Sequence, residues 1–102
     1  MDFPPGVAIT FVDDKGRLKL PADFRRVIEL HREWFLAEGE DEKSLELSAT
    51  GTIAEKVEVD STGRMQVSAE FKSREVRLIP VKDRVTLMTS EEYAKRRRPF
   101  KL

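Results

Sequence analysis

The sequence lacks cysteine and has a single histidine, His31, among its 102 residues. Without cysteine, the chain cannot form a disulfide, a thiolate zinc site or a cysteine nucleophile. A histidine-based metal cage and a catalytic relay that depends on histidine are also hard to build. The longest uncharged run, Phe3 to Val12, is far shorter than the ~20 residues that span a bilayer. Since no base precedes Lys15, we expect a soluble protein without a secretory signal.

Several enzyme signatures are missing as well. There is no Gly-Lys dipeptide and therefore no phosphate-binding P-loop. The five glycines are too widely spaced for a dinucleotide-binding fingerprint. We predict a protein that is not an enzyme and that needs no cofactor, no metal and no small-molecule substrate.

The charge is dense but balanced. Lys and Arg together number 19, as do Asp and Glu, so the formal net charge is zero. A uniformly basic surface is excluded, and any anion binding must come from local clusters. The charge is segregated along the chain, with a net of +2 over residues 13–26, −4 over 38–46 and +3 over 91–101.

An internal repeat is the most informative feature of the sequence. Residues 13–25 match residues 60–72 at an offset of 47, with identical Asp, Gly, Arg, Ala and Phe at corresponding positions. Two copies indicate one domain, residues 1–102, built from pseudo-equivalent halves at about 8–48 and about 55–98. In each copy, Asp at the start of a turn and Gly three residues later favour a tight β-hairpin.

Each half predicts the order strand, turn, strand, helix, strand, strand. The first helix begins at Pro21 and has an apolar stripe of Phe24, Val27, Ile28 and Leu30, whereas Ser68 caps a much shorter turn in the second half. A last helix is capped by Ser90 and stopped by Pro99. The other predicted strands are Ile9–Val12, Trp34–Ala37, Leu45–Ser48, Lys56–Val59, Val76–Val81 and Arg84–Thr89, the last two joined at Lys82-Asp83.

Other residues are interpreted as structural. The aromatic residues Phe24, Trp34, Phe35 and Phe71 are expected in the core. His31 is expected to be solvated near the end of the first helix. The acidic stretch Glu38–Glu42 is expected to be a solvated loop, and Ser48–Ala54 a linker between the halves.

The run from Val12 to Arg25 resembles the start of the MraZ-type regulators of the AbrB/MazE/SpoVT superfamily. The mark of that family is a pair of Asp-x-x-x-Arg motifs in tandem repeats, and both stand here, as Asp13/Arg17 and Asp60/Arg64. The resemblance extends from about Ile9 to about Arg98. This chain departs from the family in having about eight residues, instead of helices, between its repeats.

The resemblance implies an α+β fold in which two β-hairpin–helix–β-hairpin repeats form a pseudo-two-fold, swapped-hairpin barrel related to the double-psi barrel. It also implies a cytoplasmic, nucleoid-associated homo-oligomer that binds DNA in a sequence-specific manner and regulates transcription. No membrane association is expected. The implied DNA-binding residues are Asp13, Lys15, Arg17, Asp60 and Arg64.

The chemistry of the motif is compatible with this function. An arginine just after a tight turn can donate two hydrogen bonds to guanine or clamp a phosphate, and an Asp four residues earlier can hold its guanidinium in place. Three alternatives remain open: turns that carry only surface salt bridges, an AbrB/MazE-like antitoxin, and a shortened MraZ-fold assembly module that no longer binds DNA.

Overall fold

The residues that the structure describes form eight strands and two α-helices. The computed structural model describes residues 3, 5–30, 34–38, 44–49, 55–81 and 84–97. The helices are α1 (Ala22–Glu29) and α2 (Ser90–Arg97), and a single 3₁₀ turn spans Ala69–Phe71. The strands are β1 (Ala8–Phe11), β2 (Arg17–Lys19), β3 (Trp34–Glu38), β4 (Leu45–Ser48), β5 (Glu55–Val57), β6 (Arg64–Gln66), β7 (Glu75–Val81) and β8 (Arg84–Thr89).

The predicted strands are confirmed, with shifts of one or two residues at some ends. The first strand of each half ends earlier than predicted, because Val12 and Val59 form isolated bridges to Leu18 and Met65 and do not extend the strands. Several predictions lie outside the described residues: His31, the loop at 82–83, the acidic loop beyond Glu38, the linker beyond Ala49 and the helix stop at Pro99.

Six strands form one antiparallel sheet in the order β1-β7-β8-β4-β3-β5. The first strand of each half pairs with a strand of the other half, since β1 pairs with β7 and β5 pairs with β3. In the middle of the sheet the two halves meet where β4 pairs with β8. Exchanging the halves therefore leaves the strand order unchanged.

The remaining two strands, β2 and β6, form an antiparallel ribbon in which Leu18 lies directly opposite Met65. Both of these side chains are fully buried. The Leu20 N–H donates to the Gly63 carbonyl at 2.9 Å, and the Val67 N–H donates to the Gly16 carbonyl at 2.9 Å. Because 20 and 67, like 16 and 63, differ by the repeat offset of 47, the ribbon is symmetric about the Leu18–Met65 pair.

The two halves differ most in their helices. Beyond the helical segment the structural offset falls to 42, since Thr10 pairs with Val76 and the equivalent Val57 pairs with Trp34. The difference of five residues is the difference between the eight residues of α1 and the three of the 3₁₀ turn. The shorter turn that the sequence predicts after Ser68 is thus confirmed, although the Ser68 side chain makes no capping hydrogen bond.

The predicted apolar stripe of α1 is correct except at its last position. Phe24, Val27 and Ile28 are buried, whereas Leu30 follows the last helical residue and is exposed. The end of this helix is tied to the sheet, because the Trp34 indole N–H donates to the Ile28 carbonyl at 2.8 Å. Phe3 adds to the same cluster, with its ring centroid 5.4 Å from those of Phe24 and Trp34.

The aromatic residues expected in the core lie there with one exception. Phe24, Trp34 and Phe71 are buried, whereas Phe35 is half-buried because it lies on the outward face of β3.

The cap of α2 differs from the prediction. Ser90 is the first residue of the helix, and the Glu92 N–H is accepted by the Thr89 hydroxyl at 3.1 Å. Ser90 instead accepts a hydrogen bond from Arg77 Nε at 3.0 Å. Thr89 is therefore the capping residue, and Ser90 fastens the helix to β7.

The fold class that the described residues establish is a small α+β arrangement with an antiparallel sheet and two helices. Their strands pair as one open sheet and one separate ribbon, and this pairing does not close into a barrel. Leu18, Met65, Leu47 and Leu87 are among the most buried residues, so the core contains side chains from both halves.

Candidate nucleic-acid interface

The first turn is organised by the carboxylate of Asp13. Its Oδ1 accepts the backbone N–H groups of Lys15 at 2.9 Å and Arg17 at 2.8 Å. Its Oδ2 accepts Arg17 Nε at 2.9 Å. The Arg17 side chain is held at Nε while remaining partly exposed. Its terminal nitrogens can therefore be offered to a ligand from a fixed position.

The second turn uses Asp60 in a related but different way. Its Oδ1 accepts the backbone N–H groups of Thr62 at 2.9 Å and Arg64 at 3.1 Å, as well as the Thr62 hydroxyl at 2.7 Å. No described residue forms an ion pair or hydrogen bond with the guanidinium of Arg64. The two arginines thus stand at equivalent positions, but only Arg17 is held by its aspartate.

Both aspartates are stabilised in the ionised form. The backbone N–H of Arg17 is the largest cause lowering the pKa of Asp13, and the Arg17 guanidinium adds to it. The Thr62 hydroxyl is the largest cause lowering the pKa of Asp60, followed by the Arg64 N–H, and the charge of Arg17 contributes. Arg17 therefore links the two turns electrostatically.

Each turn contains a glycine that its backbone conformation requires. Gly16 and Gly63 both have φ of +81°, a region that residues with a Cβ rarely adopt. Each glycine is also close to a side chain from the other half. An added Cβ would lie 2.6 Å from Gln66 Nε2 at Gly16 and 3.0 Å from Arg25 Nη1 at Gly63.

These neighbouring side chains brace the turns across the repeat boundary. Gln66 Nε2 donates to the Lys15 carbonyl at 3.0 Å. Arg25 Nη2 donates to the Ser61 carbonyl at 3.3 Å, while its Nε is paired with Glu29 at 2.8 Å. Since each half holds the loop of the other, the two turns keep a fixed spacing.

The outer face of the β2–β6 ribbon brings the predicted arginines together. Arg17 lies opposite Gln66, and Lys19 lies opposite Arg64. Leu18 and Met65 point inward between them, so all four polar side chains lie on the solvent side. The ribbon face carries three positive charges and no carboxylate of its own.

A direct cross-strand pair of like charges, Lys19 opposite Arg64, is unfavourable unless an anion lies between or above them. Lys19 is absent from the site that the sequence and the resemblance predict. Its alternation with Leu18 and Leu20 indicates that it points outward with Arg17. Its position opposite Arg64 depends on pairing between the halves, which the spacing alone does not reveal.

The other predicted site residues lie around this face. Asp13 and Asp60 stand at the starts of the turns, where they bind backbone and, in the first turn, Arg17. Lys15 is exposed at the tip of the first turn. The five predicted residues therefore belong to the two turns and the ribbon that joins them.

An open groove of about 960 Å³ lies beside the ribbon on the side of the second half. The groove has an apolar floor that includes Leu36, Val57 and Val67, and both Arg17 and Arg64 reach it. In the first half, the hydroxyl of Thr10 donates to the Lys19 carbonyl and ties β1 to β2. Val57 occupies the equivalent position in the second half, lines the groove and has no hydroxyl to make such a bond.

The described residues contain no group of three or more His, Cys, Asp and Glu that could hold a metal ion. Neither described helix is long and apolar enough to cross a bilayer.

In comparisons with known proteins, no family model and no curated protein match this chain.

Proposed function

We propose that this protein is a sequence-specific DNA-binding transcriptional regulator of the MraZ type, which acts in the cytoplasm at the nucleoid. The observation that carries the proposal is the outer face of the β2–β6 ribbon. Arg17, Lys19 and Arg64 converge there, and the like charges of Lys19 and Arg64 stand directly opposite each other. A polyanion relieves that repulsion, and DNA offers phosphates and base edges together.

The swapped-hairpin barrel is part of this proposal. It is supported by the exchange of first strands between the halves, β1 with β7 and β5 with β3. The bridges from Val12 to Leu18 and from Val59 to Met65 connect the sheet to the ribbon on both sides. In the proposed barrel, the ribbon joins the sheet at these two bridges and thereby closes the barrel.

The differences between the turns suggest a division of roles. Arg17 is fixed through Nε by Asp13, which leaves its terminal nitrogens oriented for two hydrogen bonds to guanine O6 and N7. Lys19 is an exposed point charge and suits a phosphate. Arg64 has no described acceptor and can adapt to either a phosphate or a base.

Fluorescence anisotropy with DNA fragments from the region upstream of this gene tests the proposal. Arg17→Ala should reduce the preference for the specific fragment by ~1–3 kcal/mol, the cost of one bidentate base contact. Lys19→Ala should weaken binding to every sequence alike and lower the slope of log K against log salt by about 0.9. Lys95→Ala, which removes an exposed base of α2, is the matched control.

The outcomes separate the possible roles. Loss of binding in Arg17→Ala/Arg64→Ala but not in Lys95→Ala, with circular dichroism unchanged, supports the proposed interface. Equal binding by the wild type and the double variant contradicts the site. If the folded wild type binds no fragment at either low or high salt, the proposed function fails.

One observation favours a second candidate, the shortened assembly module that no longer binds DNA. In the second turn Asp60 accepts the Thr62 hydroxyl and the Arg64 backbone N–H but does not bind the Arg64 guanidinium, so the second Asp-x-x-x-Arg motif lacks the ion pair of the first. That candidate predicts a folded, self-associating protein without salt-dependent DNA binding.

A further inference from the structure

The apolar side chains that line the groove beside the β2–β6 ribbon are less buried than their counterparts in the first half. Val59 is half-buried, whereas Val12, which forms the equivalent bridge, is 3% exposed. Leu36 is also half-buried, whereas its counterpart Leu78 is 1% exposed. The fold can therefore bury these positions, and in the second half it leaves an apolar surface that a ligand can cover.

The size and lining of the groove suit a small organic ligand. Its volume is about 960 Å³, and pockets for small molecules typically measure about 300–1,000 Å³ and have apolar walls with a few polar groups that orient the ligand. The apolar residues of the lining are Leu36, Ala37, Leu45, Val57, Val59 and Val67.

Two arginines supply the polar groups at the ribbon side of the groove. Arg17 and Arg64 both line it, and they are diagonal neighbours on the ribbon, a separation of about 7–8 Å that long side chains can bridge. Asp13 holds Arg17 through Nε alone, and no described residue accepts a hydrogen bond from the Arg64 guanidinium. The terminal nitrogens of both can therefore converge on one anion.

The charge of the lining favours an anion with a single negative charge. Its charged residues are three bases and two acids, Arg17, Lys56, Arg64, Glu58 and Asp60, which leave a net charge of +1. Asp60 is already engaged, since its Oδ1 accepts two backbone N–H groups and a hydroxyl of its own turn. A guanidinium can donate two parallel hydrogen bonds to a carboxylate. A monocarboxylate therefore matches both the charge and the donors.

We propose that this groove binds an organic monocarboxylate with an apolar chain, as an effector and not as a substrate. Arg17 and Arg64 hold the carboxylate, and the chain covers Leu36, Val57 and Val67. Binding at this site does not depend on DNA. Because the same two arginines belong to the proposed DNA-binding face, the ligand also competes with DNA, and this second part rests on the proposed function.

A titration of the ¹⁵N-labelled protein with decanoate, kept below its micelle concentration, tests the site. The backbone amides of Val57 and Val67 and the Nε of Arg17 should shift and saturate together. Decyltrimethylammonium has the same chain and the opposite charge. It should bind at least about tenfold more weakly, since it cannot accept a charge-assisted hydrogen bond from either arginine.

Two variants separate the apolar and the charged parts of the site. Val57→Phe, which fills the groove, should weaken decanoate binding at least about tenfold. Arg17→Ala/Arg64→Ala should remove the preference for decanoate over decyltrimethylammonium. Ile9→Lys is the matched control, because Ile9 is 51% exposed, lies outside the groove and has a lysine, Lys56, as its counterpart in the second half. This control should bind decanoate as the wild type does.

Several outcomes overturn the site. Shifts that do not saturate, or undiminished binding by Val57→Phe, show that decanoate does not occupy the groove. Equal binding of decanoate and decyltrimethylammonium by the wild type assigns the groove to a neutral apolar partner instead. Binding that is lost in Ile9→Lys places the decanoate on β1.

Fluorescence anisotropy with labelled DNA tests the competition. Sodium decanoate should release DNA from the wild type but not from Val57→Phe, whereas sodium chloride at the same ionic strength should release less from the wild type. DNA that stays bound while decanoate saturates the groove overturns the competition. If the wild type binds no DNA at all, the proposed function fails, and the decanoate titration still decides the site.

Discussion

At the scale of single residues, the aspartate and the arginine of each Asp-x-x-x-Arg motif have separable tasks. Asp13 and Asp60 accept the backbone N–H groups two and four residues later, and this pattern would close the turn whatever side chain followed. In the second turn arginine contributes only through its backbone, whereas in the first turn the Nε of Arg17 also donates to Asp13 Oδ2. The hydrogen bonds of the second turn therefore do not require a cationic side chain at position 64.

The acid dependence of stability follows from the two aspartates. Their pKa values are lower in the folded protein than the ~3.9 of a free aspartate, because the turn N–H groups favour the ionised form. The contribution of the two aspartates to the free energy of unfolding is complete above the unfolded-state pKa. It is lost as the pH falls through the folded-state pKa. Asp13→Asn/Asp60→Asn should therefore lose less stability than the wild type when urea unfolding is measured at decreasing pH.

The asparagine amide oxygen can still accept the turn N–H groups, which makes this variant a conservative one. Leu30→Ala, at an exposed position outside the turns, serves as the control and should keep the acid dependence of the wild type. If the double variant and the wild type lose stability in parallel, the acid sensitivity arises elsewhere.

At the scale of elements, Thr10 marks a difference in how the two halves pack around the ribbon. Its hydroxyl joins β1 to the carbonyl of Lys19 in β2, whereas Val57 occupies the equivalent position in β5. Thr10→Val should destabilise the protein by about 1 kcal/mol, the typical net value of one hydrogen bond. The midpoint of urea unfolding should fall while its slope stays constant.

Valine fits this site sterically, because Val57 occupies its counterpart. Thr10→Ser keeps the hydroxyl and loses only a methyl group, so it separates the hydrogen bond from packing. We expect Thr10→Ser to lose less stability than Thr10→Val does. The reverse order would mean that the methyl group, and not the bond to Lys19, stabilises this junction.

The sequence predicts the elements better than it predicts their partners. Strand alternation identifies Leu18 and Leu20, or Met65 and Val67, as inward-facing, and all four are buried. These patterns are local, because the spacing of apolar residues that defines a strand or a helix spans only two to four positions along the chain. The helix and strand assignments therefore follow from short stretches of chain.

Contacts between distant segments are harder to predict. The pairing of Lys19 with Arg64 joins residues from different halves and has no local signature. The same holds at ends of elements, where Thr89 rather than Ser90 caps α2 and Leu30 falls just beyond the buried face of α1. In both cases one residue of displacement moves a side chain from one environment to another.

At the scale of the whole molecule, neither half can complete its own sheet. β1 finds its partner in β7 and β5 finds its partner in β3, while the ribbon needs one strand from each half. Without the other half, the inward faces of Leu18 and Met65 would be exposed to water. We therefore expect the two halves to fold together as one cooperative unit.

This interdependence predicts how the separated halves behave. Fragments 1–50 and 51–102 should each lack a cooperative thermal transition as monomers in circular dichroism, because each exposes the core surface that the other covers. Mixing them should restore the spectrum of the intact chain.

Leu18→Ala in the first fragment should weaken this recovery strongly, since truncating a fully buried leucine costs about 2–5 kcal/mol. Leu30→Ala, at an exposed position of the same fragment, should leave recovery unchanged. A single fragment that unfolds cooperatively as a monomer would show that the repeats are independent domains, and the exchange of strands between them would then be secondary to folding.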